Sequence, residues 1–380
     1  MRWPCRRVSL LAGATLTMLQ GVGRERACRL LVVGLMESRP QWPRCISETY
    51  TENIALRRWN LPNLLVLTAK LAITLGAFAI VARYVDPTAL LQRLGKTAPG
   101  FVVTSVLLVL LQFLLVGFRW RLISGTMQLP GEFLPSLCKF CQIIFIASFF
   151  GQFLPFVASD ALRVLYLRDA GSRLRVALKS TAMDRGFATA ALFIAAPLAL
   201  LLSPNIAAGA AGVPTLITVS IAALVALVTA LIAAEPIGRL ARHWWLTEII
   251  AEALLDMRRI VERPRAAGQV ILLCVGVHGI SCAIFALLAL GENLDIGLIG
   301  ILAVVPIIIL AASFPIAIGG WGVREGLTVI LLSRLGVAPE AALLLSVSFG
   351  LSVLLASLPG AALLLLTVVE RRGVPSGQVP

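Results

Sequence analysis

The sequence predicts an all-α polytopic membrane protein with about seven to eight transmembrane helices, one or two of them broken or re-entrant segments that form a pseudo-repeat. Three observations predict it. Of 380 residues, 59% are apolar and only 14% charged, against roughly 45–50% and about 25% in ordinary soluble domains. The apolar residues run in long unbroken stretches, not in the period-two alternation of a β-barrel. Two of those stretches are interrupted by proline in corresponding positions, each followed by a charged pair. With a mean hydropathy of +0.93, the chain has too little charge to cover a soluble surface. That excludes a cytosolic enzyme, a disordered regulator and a coiled coil.

Residues 1–60 differ from the rest. They hold ten arginines and four glutamates. Arg2, Arg6 and Arg7 precede a short run, Val8 to Leu19, which imitates a signal peptide but is too short to span. The tail reads as a poorly ordered cytoplasmic extension or an over-long start, with a cleaved signal as the runner-up. A transmembrane region then fills 61–370, and 371–380 is a short C-terminal tail.

Within that region the first span covers about 61–82 and contains Lys70. The second covers about 100–118 and ends at Arg119-Trp120-Arg121. The third apolar stretch, 133–158, is interrupted by Gly151 and Pro155. Stretches at 181–202 and 214–234 follow, then a polar segment at 235–268. Further apolar stretches lie at 269–290, 296–318, 323–335 and 341–369. Lys70 and Lys139 read as residues that snorkel to the interface.

Charge orients these spans. The net charge of +14 reads as basic loops facing anionic lipid, not as a nucleic-acid surface, because no soluble basic stripe carries interleaved aromatics. The 163–179 loop, the 235–268 segment with six arginines, and Arg371-Arg372 belong on the cytoplasmic side. The uncharged 203–213 loop and the acidic 291–295 loop belong opposite. Two basic loops then flank the second and third stretches on one side, so the third is drawn as re-entrant, returning at Pro155. In the polar segment, Ile249, Ala253, Met257 and Ile260 recur at helical spacing opposite Glu248, Glu252, Asp256 and Arg259. This predicts an amphipathic helix over 237–262 at the cytoplasmic surface, covering the ends of neighbouring spans.

The seven cysteines form no disulfide framework. Cys138 and Cys141 make an isolated C-x-x-C without the second pair of a zinc site. Cys274, His278 and Cys282 share a helix face but read as buried thiols and a hydrogen-bonded histidine. No metal or other cofactor is expected.

The broken segments carry the chemistry. The first runs from Phe153 through Pro155 and Asp160 to Arg163. The second runs from Phe314 through Pro315, Gly319 and Gly320 to Arg324 and Glu325. A proline removes a donor and kinks a helix. The freed backbone groups cannot face lipid and must line a cavity. Such interruptions in corresponding places of two halves point to a transporter site, and intramembrane charge is functional by default. Arg163 and Arg324 are the expected head-group or phosphate ligands, since a guanidinium fork matches two phosphate oxygens. Asp160 and Glu325 would orient them or carry a proton, and Asp184-Arg185 would join the cluster. The blander reading is that these charges pair with each other at span ends.

At these residues the sequence resembles the lysylphosphatidylglycerol synthase transmembrane-region family, the flippase-like integral membrane proteins. Pro155 to Arg163, Ser180 to Arg185 and Pro315 to Glu325 match its motifs, the third most closely, and Gly336-Val337 and Ala341-Ala342 follow as expected. Ala158 and Ser159 stand where the family usually has glycine. The resemblance covers about 60–370. It implies a stand-alone translocating half without an aminoacyl-transfer domain, linked to anionic phospholipid, polyprenyl-linked or hopanoid lipids.

The expectation is therefore an inner-membrane protein, C-terminus cytoplasmic, that moves a lipid between leaflets and is not an enzyme. The sequence contains no Walker-type phosphate loop. A membrane-embedded glycosyl or acyl transferase, using Asp160, Asp184 or Glu325, is the enzyme alternative. A non-transporting partner of a lipid-synthesising enzyme is the third. Partners would be a membrane lipid and such an enzyme. The small-residue run Gly209 to Gly212 allows close packing within one chain or in a homo-oligomer.

Overall fold

A backbone in hydrocarbon must satisfy its own polar groups, and a chain this apolar does so by forming helices. The computed structural model describes Thr88 and residues 99–127, 133–154, 156–201, 213–236, 245–314 and 317–373. The tail at 1–60, the first span with Lys70, and most of the 203–213 loop lie outside the described residues.

Among the described residues there are ten helices in the element order. They are α1 (Pro99–Gly125), α2 (Leu137–Gly151), α3 (Phe156–Asp169), α4 (Leu174–Leu201), α5 (Val213–Ile232), α6 (Trp245–Val261), α7 (Pro264–Gly291), α8 (Gly297–Ala312), α9 (Val323–Ser333) and α10 (Pro339–Gly373). Three are long and apolar enough to cross a membrane: α1, α7 and residues Pro339–Leu365 of α10. The protein is all-α and polytopic, as the sequence predicts.

The two interrupted stretches are shorter. At 15 residues, α2 rises only about 22 Å at 1.5 Å per residue, short of the roughly 30 Å hydrocarbon core. It ends at Gly151, and the chain resumes as α3. At 16 residues, α8 behaves alike: it ends at Ala312, and α9 starts beyond Gly322. Pro155 and Pro315, to which the sequence assigns these breaks, lie outside the described residues. In the second break three glycines take positive φ, Gly319 at 59°, Gly320 at 76° and Gly322 at 85°, a conformation that costs a residue with a Cβ about 1–2 kcal/mol.

The main packing pairs α1 with α7, α2 with α10, α4 with α8 and α9 with α10. One apolar core runs through all of them, with Trp120 edge-on to Phe140 at 4.8 Å and Phe285 near Phe349 at 4.7 Å. Small residues let the helices close. A Cβ on Gly360 of α10 would overlap the Phe145 carbonyl of α2, so backbone meets backbone there.

The second apolar stretch departs from its expected end. It continues past Arg119-Trp120-Arg121 to Gly125, and Arg119 and Trp120 are buried. Arg119 can be buried because it has a counter-ion, Asp184, on α4. The amphipathic helix forms over Trp245–Val261; Ile237 and Leu240 lie outside the described residues. Its apolar face, with Met257 and Ile260, packs on Ile123, Met183, Val270 and Cys274 of α1, α4 and α7. On its polar face Lys179 Nζ of α4 stands 2.7 Å from Asp256 and 3.1 Å from Glu252. It covers neighbouring helices, as its periodicity suggests.

Candidate functional site

The site begins with helical spacing. On α3, Asp160 and Arg163 are three residues apart and share a face. On α4, Ser180 and Asp184 do the same at four. On α1, Gln112, Val116 and Arg119 line up at i, i+4 and i+7. Packing of these helices turns the three faces toward one another.

Asp184 is the hub. It is fully buried and pairs with Arg119 of α1, Nε to Oδ1 at 2.8 Å, and with Arg163 of α3, Nη2 to Oδ2 at 2.8 Å. A carboxylate desolvated this far remains charged only with such partners. Arg119 also reaches the Cys274 sulfur at 3.4 Å. Arg163, 1% exposed, stacks on the Trp120 ring at 4.3 Å, and the Trp120 indole donates to Ser180 Oγ at 3.1 Å. One edge of the guanidinium is thus committed. Its Nε and Nη1 are buried without a hydrogen-bond partner among the described residues.

Asp160 is shared between two arginines. It holds Arg185, accepting from Nη2 at 2.7 Å and Nε at 2.9 Å, and stands 3.7 Å from Arg163 Nη1. Asp184, 21 residues away in the chain, holds Arg163 more closely, at 2.8 Å. Glu325 does match its expected place. It is fully buried and accepts from Arg324 Nε at 3.0 Å, from Arg324 Nη2, from Ser346 Oγ at 3.4 Å, and from the Gly322 backbone N–H at the head of α9. Arg324 lies over Trp321 at 4.5 Å and near Phe349 at 5.7 Å.

The two breaks touch. A Cβ on Gly319 would stand 3.0 Å from the Gly151 carbonyl oxygen and 3.1 Å from that of Gln152. Gly320 turns against Ala312, where a Cβ would lie 3.1 Å from the carbonyl oxygen. Beside this contact is a cavity of about 300 Å³. Gly151, Gln152 and Ser159 line it from the first broken segment; Ser313, Gly319 and Arg324 line it from the second. Arg163 and Arg185 also reach its wall, with Gln112, Phe113, Ile144 and Phe349. The cavity therefore brings together Arg163, Arg185, Arg324 and Gly319. Asp160, Asp184 and Glu325 stand behind the arginines and do not line it.

The sequence does not single out Arg119, Trp120, Trp321 or Phe349 as site residues. A signal for Arg119 existed: Gln112, a polar residue deep in an apolar stretch, lies two turns before it on one face. Gln112 donates to Val277 O at 2.9 Å and Ser281 Oγ at 2.8 Å. Phe349 had no such mark. His278 bonds to Ala188 O at 3.2 Å, and Cys282 sits in the core, so neither faces this cavity.

Fold and site together describe a multi-pass helical membrane protein whose interrupted helices close on a buried arginine cluster. Residues 67–360 match the family described as Lysylphosphatidylglycerol synthase TM region; the chain belongs to this family, which places it among membrane proteins of lipid metabolism or transport. Comparison with curated proteins returns no match.

Proposed function

We propose that this protein translocates a lipid between leaflets of the inner membrane, with the head group passing through the cavity between the two breaks. The candidate lipids are an anionic phospholipid, a polyprenyl-linked lipid or a hopanoid lipid. The observation that carries this reading is the convergence of Arg163, Arg185 and Arg324 on one cavity formed by two interrupted helices. Carbonyls freed by the breaks and guanidiniums desolvated by burial form a polar passage for a head group while the tails stay in hydrocarbon. On this reading the α2–α3 segment is re-entrant, and the basic 163–179 and 235–268 segments and the C-terminus are cytoplasmic.

Translocation suits the site better than catalysis. A general base needs a carboxylate able to take a proton. Asp160, Asp184 and Glu325 are each engaged by arginine, and none of them lines the cavity. A lipid-synthesising enzyme is the natural partner to supply the substrate.

The test is lipid movement in proteoliposomes. Vesicles carry head-group-labelled lipid, and label in the outer leaflet is destroyed chemically. The unmodified chain is expected to expose inner-leaflet label; Arg163→Ala and Arg324→Ala slow this by about tenfold or more, the loss of one charge-assisted contact each. No movement of any lipid in a broad panel, with or without an ion gradient, would sink the proposal.

A further inference from the structure

The start of α2 carries two thiols one helical turn apart. Ser136 caps this helix, its hydroxyl accepting from the Lys139 N–H at 3.3 Å, so Cys138 lies in the first turn and Cys141 just beyond it. Cys138 is exposed and Cys141 half-buried, whereas Cys274 and Cys282 are buried. Water reaches this end of α2. Phe133, just before the helix, stands against Gly171 in the turn between α3 and α4, where Arg168, Asp169 and Arg173 are exposed. Side chains three apart on a helix have Cβ atoms about 5–6 Å apart, and a disulfide needs about 3.5–4.5 Å. A turn that tightens toward the 3₁₀ form brings positions i and i+3 into eclipse. The first turn of α2 is already partway there, since the Ser136 carbonyl accepts from both the Lys139 N–H at 3.0 Å and the Phe140 N–H at 3.2 Å. Cys141 is also a packing residue: a Cβ on Gly117 of α1 would stand 2.8 Å from its sulfur. The sulfur therefore fills a notch that only a glycine leaves open.

We propose that Cys138 and Cys141 form a thiol–disulfide modification site whose co-reactant is a small water-soluble disulfide of the glutathione class, with Cys138 attacking and Cys141 resolving. The Cys138 thiolate attacks one sulfur of the small disulfide, forms a mixed disulfide and releases the first small thiol. Cys141, giving up its proton, then attacks the Cys138 sulfur and releases the second. The two protein thiols are oxidised by two electrons, and the small disulfide is reduced to two thiols that take up the two protons. Exposure assigns the roles, because attack requires access and only Cys138 of the pair is open to water. Closing the bond draws the Cys141 sulfur out of the Gly117 notch and leaves α1 and α2 less closely packed. Phe140, between the two cysteines, lies edge-on to Trp120 of α1, so the same turn of α2 bears on the α1 contact at a second point. The site does not depend on what the central cavity carries.

The experiment treats the reduced full chain in neutral detergent with glutathione disulfide, blocks remaining thiols with N-ethylmaleimide, and maps residues 138 and 141 by peptide mass spectrometry. The unmodified chain is expected to lose two hydrogens across Cys138 and Cys141 and to regain them with dithiothreitol. Cys141→Ser is expected to hold the glutathione adduct on Cys138 at a level at least about tenfold above the unmodified chain, since the resolving thiol acts at high effective concentration. Cys138→Ser should leave Cys141 free to react with the maleimide. A stable glutathione adduct in the unmodified chain, two free thiols after treatment, or an adduct on Cys141 in the Cys138→Ser variant each overturns the assignment. The second readout is the thermal unfolding midpoint. Oxidation is expected to lower it by about 2–4 °C, the scale of a small packing loss in a chain of this size, and to leave the Cys138→Ser variant unmoved. An oxidised chain with an unchanged midpoint, or a Cys138→Ser variant that falls equally, overturns the link to the α1 contact.

Discussion

Asp184 holds two guanidiniums in a place where none of the three charges could stand alone. Both partners contact it at 2.8 Å, and its side chain is fully buried. Removing one member of a buried charge network exposes the others to the full desolvation penalty, about 3–5 kcal/mol. Asp184→Asn is therefore expected to lower the thermal unfolding midpoint in detergent sharply. Asp160→Asn is the matched control. Its partner Arg185 has a side chain 37% exposed, and pairs of that kind contribute about 1 kcal/mol or less. If the two variants unfold at the same temperature, Asp184 is not the hub. Asp184 engages Arg163 Nη2, while Nε and Nη1 are buried without a hydrogen bond.

At the scale of the element, the interrupted helices owe their shape to glycine. Gly319 has φ 59° and its backbone abuts the Gly151 and Gln152 carbonyls, so it carries both a conformational and a steric demand. Gly336 has φ 79° with open space around it and carries the first demand alone. Gly336→Ala is expected to destabilise by about 1–2 kcal/mol, the left-handed penalty. Gly319→Ala should lose more and should also slow lipid movement, because a Cβ there wedges the two breaks apart. Unfolding midpoints and vesicle assays on both variants separate the terms; identical behaviour would show that the breaks do not bear on each other. The α6 helix follows a different rule. Its hold comes from Met257 and Ile260 buried against α1, α4 and α7. The exposed Arg175 pairs with Glu248 and Glu252 add little by comparison.

Over the whole molecule, charge distribution sets orientation. On the proposed orientation, Arg168, Arg173 and Arg175, the arginines of 235–268 and the pair at Arg371-Arg372 face the cytoplasm under the positive-inside rule. A cysteine introduced near the C-terminus is expected to react with a membrane-impermeant maleimide only in inverted vesicles, while one in the 291–295 loop reacts only in right-side-out cells. The opposite labelling would reverse the proposed orientation. The molecule also shows how burial can hide a span. Among the described residues only α1, α7 and the first 27 residues of α10 are both long and apolar enough to qualify alone. The 28-residue α4 does not, since it carries Lys179, Asp184 and Arg185, whose cost is met by partners on α1, α3 and α6.

The sequence by itself determined the solvent and the grammar of the chain. Apolar runs of bilayer length, the amphipathic period over Ile249 to Ile260, the two breaks and the Gly319–Gly322 turn are local properties, each set by residues within one or two helical turns. Glu325 was legible for the same reason, since it caps its own helix and holds its own neighbour. Only the tertiary structure decided which charges meet. Asp184 finds Arg119 at 65 residues' distance and Arg163 at 21, and Asp160 turns to Arg185. Adjacency in the chain had suggested other pairs. A buried ion pair forms where packing desolvates both partners at once, and that depends on how α1, α3 and α4 cross, which no local pattern specifies.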